Sequence, residues 1–311
     1  MIKRHTYLLG LTLWCVLACI HASAQQNPDF VAAFNYVNLK QADSARARID
    51  KAIKDSAVAK EAQSWYVRGF IYKYYYTSKE VNNQSSPARA EALRSLRKAL
   101  SMLPDTSKEL RGSIHANMKF IAAKYHNDAA KSLDTSNYQL PIKNFEMYME
   151  IMRQIEPNMN LKPAEIEFNL ALSTIYTSLY QANSRTRSNI LELDKQALNK
   201  VLKLDPNSVT ANYNMGILYY NQAVYLINNS DFDTPLTSLN GIQDDQVLLF
   251  KKSLPFTEKA YELDPKKAET IQALSGIYFG LNEYDKSKLF QEKLDELKKE
   301  KIEQLKKDNQ H

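Results

Sequence analysis

The chain has 311 residues, a formal net charge of +6, 24% charged residues and two cysteines. That length can bury a sizeable core or run as one elongated array of repeats, and the charge excess is weak evidence for a nucleic-acid partner. Only seven glycines are present, with no GxGxxG, no P-loop and no GxSxG element, which excludes the common nucleotide-binding and serine-hydrolase signatures.

Residues 1–24 read as an export signal. Lys3 and Arg4 form a basic start, Tyr7 to Ile20 is mostly apolar, and Ala22-Ser23-Ala24 offers small residues for cleavage before Gln25. The apolar run is shorter than the roughly 20 residues of a membrane-spanning helix. A competing export reading stays open, because Val16-Leu17-Ala18-Cys19 resembles a bacterial lipobox, in which Cys19 would be lipidated. Loss of residues 1–24 would leave 287 of 311 residues, remove both cysteines with Cys15 and Cys19, and lower the charge from +6 to +4 through Lys3 and Arg4. The mature chain would have no disulfide and no thiol nucleophile, so a helical core must stabilise it.

The remainder reads as helical pairs. In the first, Phe30, Ala33, Phe34 and Val37 share one helix face, and Ala42, Ala45, Ile49, Ala52 and Ile53 share another. The second carries Trp65, Gly69 and Tyr72, then Ala92, Leu96, Ala99 and Pro104, separated by a polar stretch, 77–87. Tyr72, Tyr74, Tyr75 and Tyr76 cannot all face one core, since helical residues turn by about 100° each. The third pair is built on Leu110, Ile114, Met118, Ile121 and Ala122, then on Pro141 to Pro157 with Met147, Met149 and Met152. Pro163 reopens a helix with Phe168, Leu172, Ile175, Tyr176 and Leu179, and its partner runs from Ile190 to Leu204 before Asp205-Pro206.

The fifth pair opens on Met215, Gly216, Leu218 and Tyr219 and closes on Ala260, Asp264 and Pro265. Its insertion, 228–245, carries four Asp with turn-forming Asn, Pro and Gly, but only the beginning of a calcium-loop spacing at Asp231 and Asp233. The sixth pair has Leu274, Ser275 and Tyr278, then Asn282 to Ser287. The run Leu289 to Lys307 reads as an amphipathic capping helix.

These Leu/Gly/Tyr and Ala/Asp-Pro patterns resemble the tetratricopeptide repeat family, most clearly in units two, four, five and six. The resemblance implies an all-α, right-handed helical-hairpin solenoid with extended inter-helix loops. Its units would be about 28–58, 61–105, 107–158, 163–207, 208–266 and 268–308, a single array over 25–308. Arg68 departs from the usual Leu, Leu198 and Val201 from the usual aromatic and Ala, and Ser287 from the usual Ala.

In that family the first helices form a concave wall, so the resemblance places Tyr66, Val67, Phe70, Lys73 and Tyr74 on it in unit two. Unit five contributes Tyr213, Asn214, Ile217, Tyr220 and Asn221, and unit six adds Gln272, Ala273 and Phe279. Aromatic rings and amides suit an extended peptide, although the same aromatics serve helix packing equally well. A terminal-carboxylate clamp is poorly matched by these residue types.

No cofactor, metal or catalytic set is expected. His115 and His126 lie eleven residues apart, about 16 Å along a helix at 1.5 Å per residue, too far to share one metal. There is no HExxH, and acid pairs such as Asp244/Asp245 suit a solvated helix better than a glycosidase cleft. The expected role is non-catalytic binding of a protein or extended peptide in the periplasm. Two alternatives stay open: an outer-membrane structural lipoprotein anchored through Cys19, and a glycan or cell-wall binding module.

Overall fold

The computed structural model describes residues 27–182, 187–228 and 236–308. The predicted signal segment 1–24 with Cys19, most of the 183–189 loop, residues 229–235 of the insertion, and His311 lie outside them. The described residues form two compact units, one of residues up to 132 with 139–159, the other of 133–138 with residues from 160 onward.

The first unit begins with α1 (Pro28–Asn38) and α2 (Ala42–Ala52), followed by one short turn of helix, α3 (Ser56–Ala59). Asn27 caps α1 by accepting from the Asp29 and Phe30 amides at 3.1 Å each, and Pro28 supplies a preset first-turn φ. α1 ends where Lys40 adopts φ 60°, which folds the chain back into α2. Next come α4 (Ala62–Tyr75), continued by a π-helical turn over Tyr76–Glu80, and α5 (Pro87–Ser101). Then α6 (Lys108–Ser132) pairs with α7 (Gln139–Ile155).

The second unit contains α8 (Lys162–Ala182) with α9 (Arg187–Leu204), α10 (Val209–Asn228) with α11 (Leu236–Leu263), and α12 (Ala268–Gly280) with α13 (Tyr284–Asp308). Within each unit every helix packs chiefly on its neighbours in sequence, as stacked antiparallel hairpins do. The fold is therefore an all-α helical-hairpin solenoid.

Small residues set how closely the hairpin partners approach. A Cβ on Gly216 would stand 2.2 Å from Thr257 Oγ1 and 3.2 Å from the Thr257 backbone nitrogen, and Ser253 Oγ donates to the Gly216 carbonyl at 2.6 Å. In the last hairpin two serines do the same work, with Ser275 Oγ donating to the Ser287 carbonyl at 3.0 Å and Ser287 Oγ to the Ser275 carbonyl at 2.9 Å. Apolar side chains fill the space left between hairpins. Leu198, Val201, Ala211, Met215 and Leu218 join α9 to α10, while Ala223, Phe250 and Ile277 join α10, α11 and α12. Each fully buried Leu, Ile or Met stabilises by about 1.5–3 kcal/mol relative to exposure.

The 77–87 stretch is well anchored. Arg89 is only 1% exposed, its guanidinium lies 3.8 Å from the Tyr125 ring centroid, and it pairs with Asp128 while donating to the Gln84 carbonyl. The tyrosine run is divided around it. Tyr76 is buried 5.4 Å under the same guanidinium, Tyr75 lies under Arg46, and Tyr72 donates to Asp50 at 2.7 Å beneath Arg68. Arg68, in place of the usual Leu, links Asp50 of α2 to Glu91 and Ser95 of α5. The described part of the 228–245 insertion is helical. Residues 236–245 extend α11 to 28 residues, because Leu236, Leu239 and Ile242 repeat at helical spacing after a Thr-Pro start signal.

Candidate binding site

The predicted wall residues fall in both units. In the first, Tyr66, Phe70, Lys73 and Tyr74 follow one another at helical spacing along α4. Lys73 Nζ sits over the Phe70 ring at 4.8 Å and the Phe120 ring at 5.3 Å, and donates to Asn117 Oδ1 of α6. With burial as the cause, its pKa is lowered to about 8. Tyr66 is buried, and desolvation raises its pKa against the opposing effect of Asn117 and Ser113. Tyr74 is partly buried, and its carbonyl accepts from Thr77 Oγ1 at 3.0 Å. This cluster reads as a helix-to-helix contact between α4 and α6 more than as an open cavity.

The second unit holds a cavity of about 290 Å³ between α8, α9 and α10. Tyr213, Asn214, Ile217 and Asn221, all predicted wall residues, line its α10 side together with Leu218. Asn214, Ile217 and Asn221 recur at i, i+3 and i+7, which puts two amides and an aliphatic chain on one helix face about two turns long. α8 contributes Thr174, Thr177, Ser178 and Tyr180, with the Thr174 and Ser178 hydroxyls donating back to the Leu170 and Thr174 carbonyls, and α9 contributes Leu191 and Asp194. Tyr213 is braced by Lys267, whose Nζ lies 4.3 Å from its ring centroid, and burial raises the Tyr213 pKa.

Tyr220, Gln272 and Phe279 lie outside this cavity. Tyr220 packs on Phe250 with ring centroids 5.7 Å apart, and its hydroxyl would be 2.8 Å from a Cβ on Gly276, so it fills the α10–α12 contact. Gln272 is exposed. Phe279 is 64% exposed and meets Tyr284 edge-on at 5.6 Å.

Asp194 is the residue that sequence reasoning missed. Four residues before Leu198, it occupies the place in α9 that corresponds to Ala92, Ser253 and Ser287, where three other hairpins bring small side chains against the first helix. Here a carboxylate stands beside Ser173, only 4% exposed. Thr177 Oγ1 donates to Asp194 Oδ2 at 3.0 Å, whereas Ser173 Oγ stands close to the carboxylate without forming a well-aligned hydrogen bond to it, so Oδ1 has no partner of good geometry. Burial raises the Asp194 pKa, opposed by the Ser173 and Thr177 hydroxyls. Reading the small-residue position across hairpins would have found it.

The lining suits recognition by shape, apolar contact and hydrogen bonding. Among the described residues no group of three or more His, Cys, Asp or Glu could hold a metal ion, and no helix is long and apolar enough to cross a membrane. The cavity is at the lower end of the ~300–1,000 Å³ of small-molecule clefts, a size for one side chain or a small fragment.

The stacked hairpins and their close-packing positions define a tetratricopeptide-like helical-repeat protein. No protein-family model and no curated protein matches the chain. Solved structures similar to it include a monomeric mutant of IFIT1 with Gppp-AAAA, at 14% identity and a TM-score of 0.35 over 90% of this chain and 48% of that one. Others are PilW, a widely conserved type IV pilus biogenesis factor, at 17% identity and 0.27 over 88% and 93%, and YrrB, a TPR protein with an unusual peptide-binding site, at 17% and 0.25 over 83% and 96%. The chain spans about half the length of the IFIT1 chain it matches.

Proposed function

We propose that this chain is a non-catalytic scaffold that binds an extended segment of a partner protein through the α8–α10 face of its second unit. The observation that carries the reading is the cavity where Asn214, Ile217 and Asn221 of α10 meet the hydroxyl-bearing face of α8. Amides supply paired donors and acceptors for an extended backbone, while Leu191, Ile217, Leu218 and Tyr213 offer apolar contact to one inserted side chain. The export-signal pattern of residues 1–24 supports placing this role in a bacterial cell envelope. Lipidation of Cys19 would anchor the same scaffold to the outer membrane and leave the site unaltered.

The test is a peptide-display selection on the full chain, with counter-selection on Asn214→Ala/Asn221→Ala. Both changes remove amides from the cavity wall and leave the buried cluster of α10 untouched. The expected result is an enriched motif whose affinity falls about tenfold or more in a variant of unchanged helicity, as loss of central interface contacts produces. Motifs that bind both proteins equally would refute this site.

A further inference from the structure

The proposed scaffold site contains a feature that packing does not account for. Three other hairpins place Ala92, Ser253 and Ser287 where α9 carries Asp194, and the hairpin of α6 and α7 places Phe145 there, so none of them buries a charge at this position. Asp194 lines the cavity, is 4% exposed, and spends one oxygen on Thr177 while Oδ1 has no partner of good geometry. No ion pair to Asp194 forms among the described residues. Lys195, next to it in the chain, places Nζ over the Tyr219 ring at 5.2 Å, and Lys267 occupies the Tyr213 ring at 4.3 Å. A buried carboxylate without a counter-charge costs several kcal/mol, and the arrangement becomes favourable when a cation completes it.

We infer that the cavity takes the cationic side chain of a Lys or Arg in the bound segment, with Asp194 as its counter-ion. This rests on the scaffold reading above and specifies what the segment must carry. Leu191, Ile217 and Leu218 contact the methylene stem, which is apolar in both residues. The head reaches the polar end formed by Asp194 and Thr177, and Thr177, which both lines the cavity and touches the carboxylate, turns its hydroxyl as the cation enters. A cavity of about 290 Å³ accommodates one such side chain. Specificity follows because an acidic residue would meet Asp194 with like charge, and an aliphatic one would leave it unpaired.

The experiment titrates the full chain with four blocked tripeptides, Ac-Ala-Xaa-Ala-NH2, in which the central residue is Lys, Arg, norleucine or Glu. Binding is followed by the amide resonances of α8 and α10. The lysine or arginine peptide is expected to bind about tenfold or more tightly than the norleucine peptide, with the glutamate peptide weakest. Asp194→Asn, which preserves shape, is expected to reduce the cationic peptides to the norleucine level, while Asn214→Ala weakens all peptides alike. If norleucine binds as well as lysine, or Asp194→Asn leaves the preference intact, the cation inference fails and the scaffold site stands. If no peptide perturbs α8 or α10, both fail.

Discussion

At the scale of single residues, two buried ionisable groups behave differently because Arg89 has a counter-charge in Asp128 and Asp194 has none among the described residues. Arg89 is enclosed by Asp128, the Gln84 carbonyl and two tyrosine rings, so it links α5 to α6 and pins the 77–87 stretch. Arg89→Met should destabilise the protein by about 2–4 kcal/mol, since Asp128 is left without its cation and the loop without its anchor. Arg94→Met, at an exposed pair with Glu91, should cost no more than about 0.5 kcal/mol. Chemical denaturation of both variants checks this, and equal effects would refute the anchoring role. Asp194 predicts the opposite sign. Its folded pKa is raised above the ordinary value of 3.8, so the folded state retains its proton to higher pH than the unfolded chain. The stability of the protonated form is therefore present at low pH and lost as pH rises through the folded pKa. Asp194→Asn should stabilise the unliganded protein at pH 7 by about 1–2 kcal/mol, with an amide able to donate to Ser173 Oγ, and the gain should vanish near pH 3. Thermal melts across that range would contradict the account if the variant were destabilised at pH 7.

At the scale of elements, hairpin spacing depends on where a Cβ can fit. Gly216 faces Thr257 with no room, whereas a Cβ on exposed Gly112 of α6 would meet nothing within 4 Å. Gly112→Ala should stabilise by about 0.5–1 kcal/mol through helix propensity alone. Gly216→Ala gains the same propensity but must displace buried Thr257, so a net loss of about 1–2 kcal/mol is expected. Equal melting shifts of one sign in the two variants would show that the α10–α11 approach is not sterically limited. Such positions were legible in advance because Gly69, Gly216 and Ser275 fall at one place in their hairpins, and because Glu156-Pro157, Asp205-Pro206 and Asp264-Pro265 each follow a helix end by one or two residues. The start of α11 was less legible. Polar residues between Leu236 and Asp245 outweighed the helical spacing of the leucines, and the long α10 that α11 packs along is a tertiary fact.

At the scale of the whole molecule, regular hairpin stacking is carried by local periodicity, and a sequence displays that directly. The site depends on departures from regularity across hairpins. Four of the eight wall residues predicted in the second unit border the cavity, because they share an α10 face and α8 leaves space opposite them. Tyr220 was predicted for the same face but is drawn into packing on Phe250 and beside Gly276, a pairing set by the next hairpin. Asp194 escaped notice because its chemistry appears only when its place is compared with the small residues of other hairpins. The proposed function places a partner segment against α8 and α10. Its most direct measurement is site-specific photocrosslinking in the native cells, with a benzophenone amino acid at Asn214 or, as the control, at exposed Lys200 of α9. One protein is expected to be crosslinked from position 214 and not from 200, with the crosslinked peptide carrying a Lys or Arg close to the attachment point. Identical products from both positions, or none from 214 while other surfaces capture partners, would contradict it.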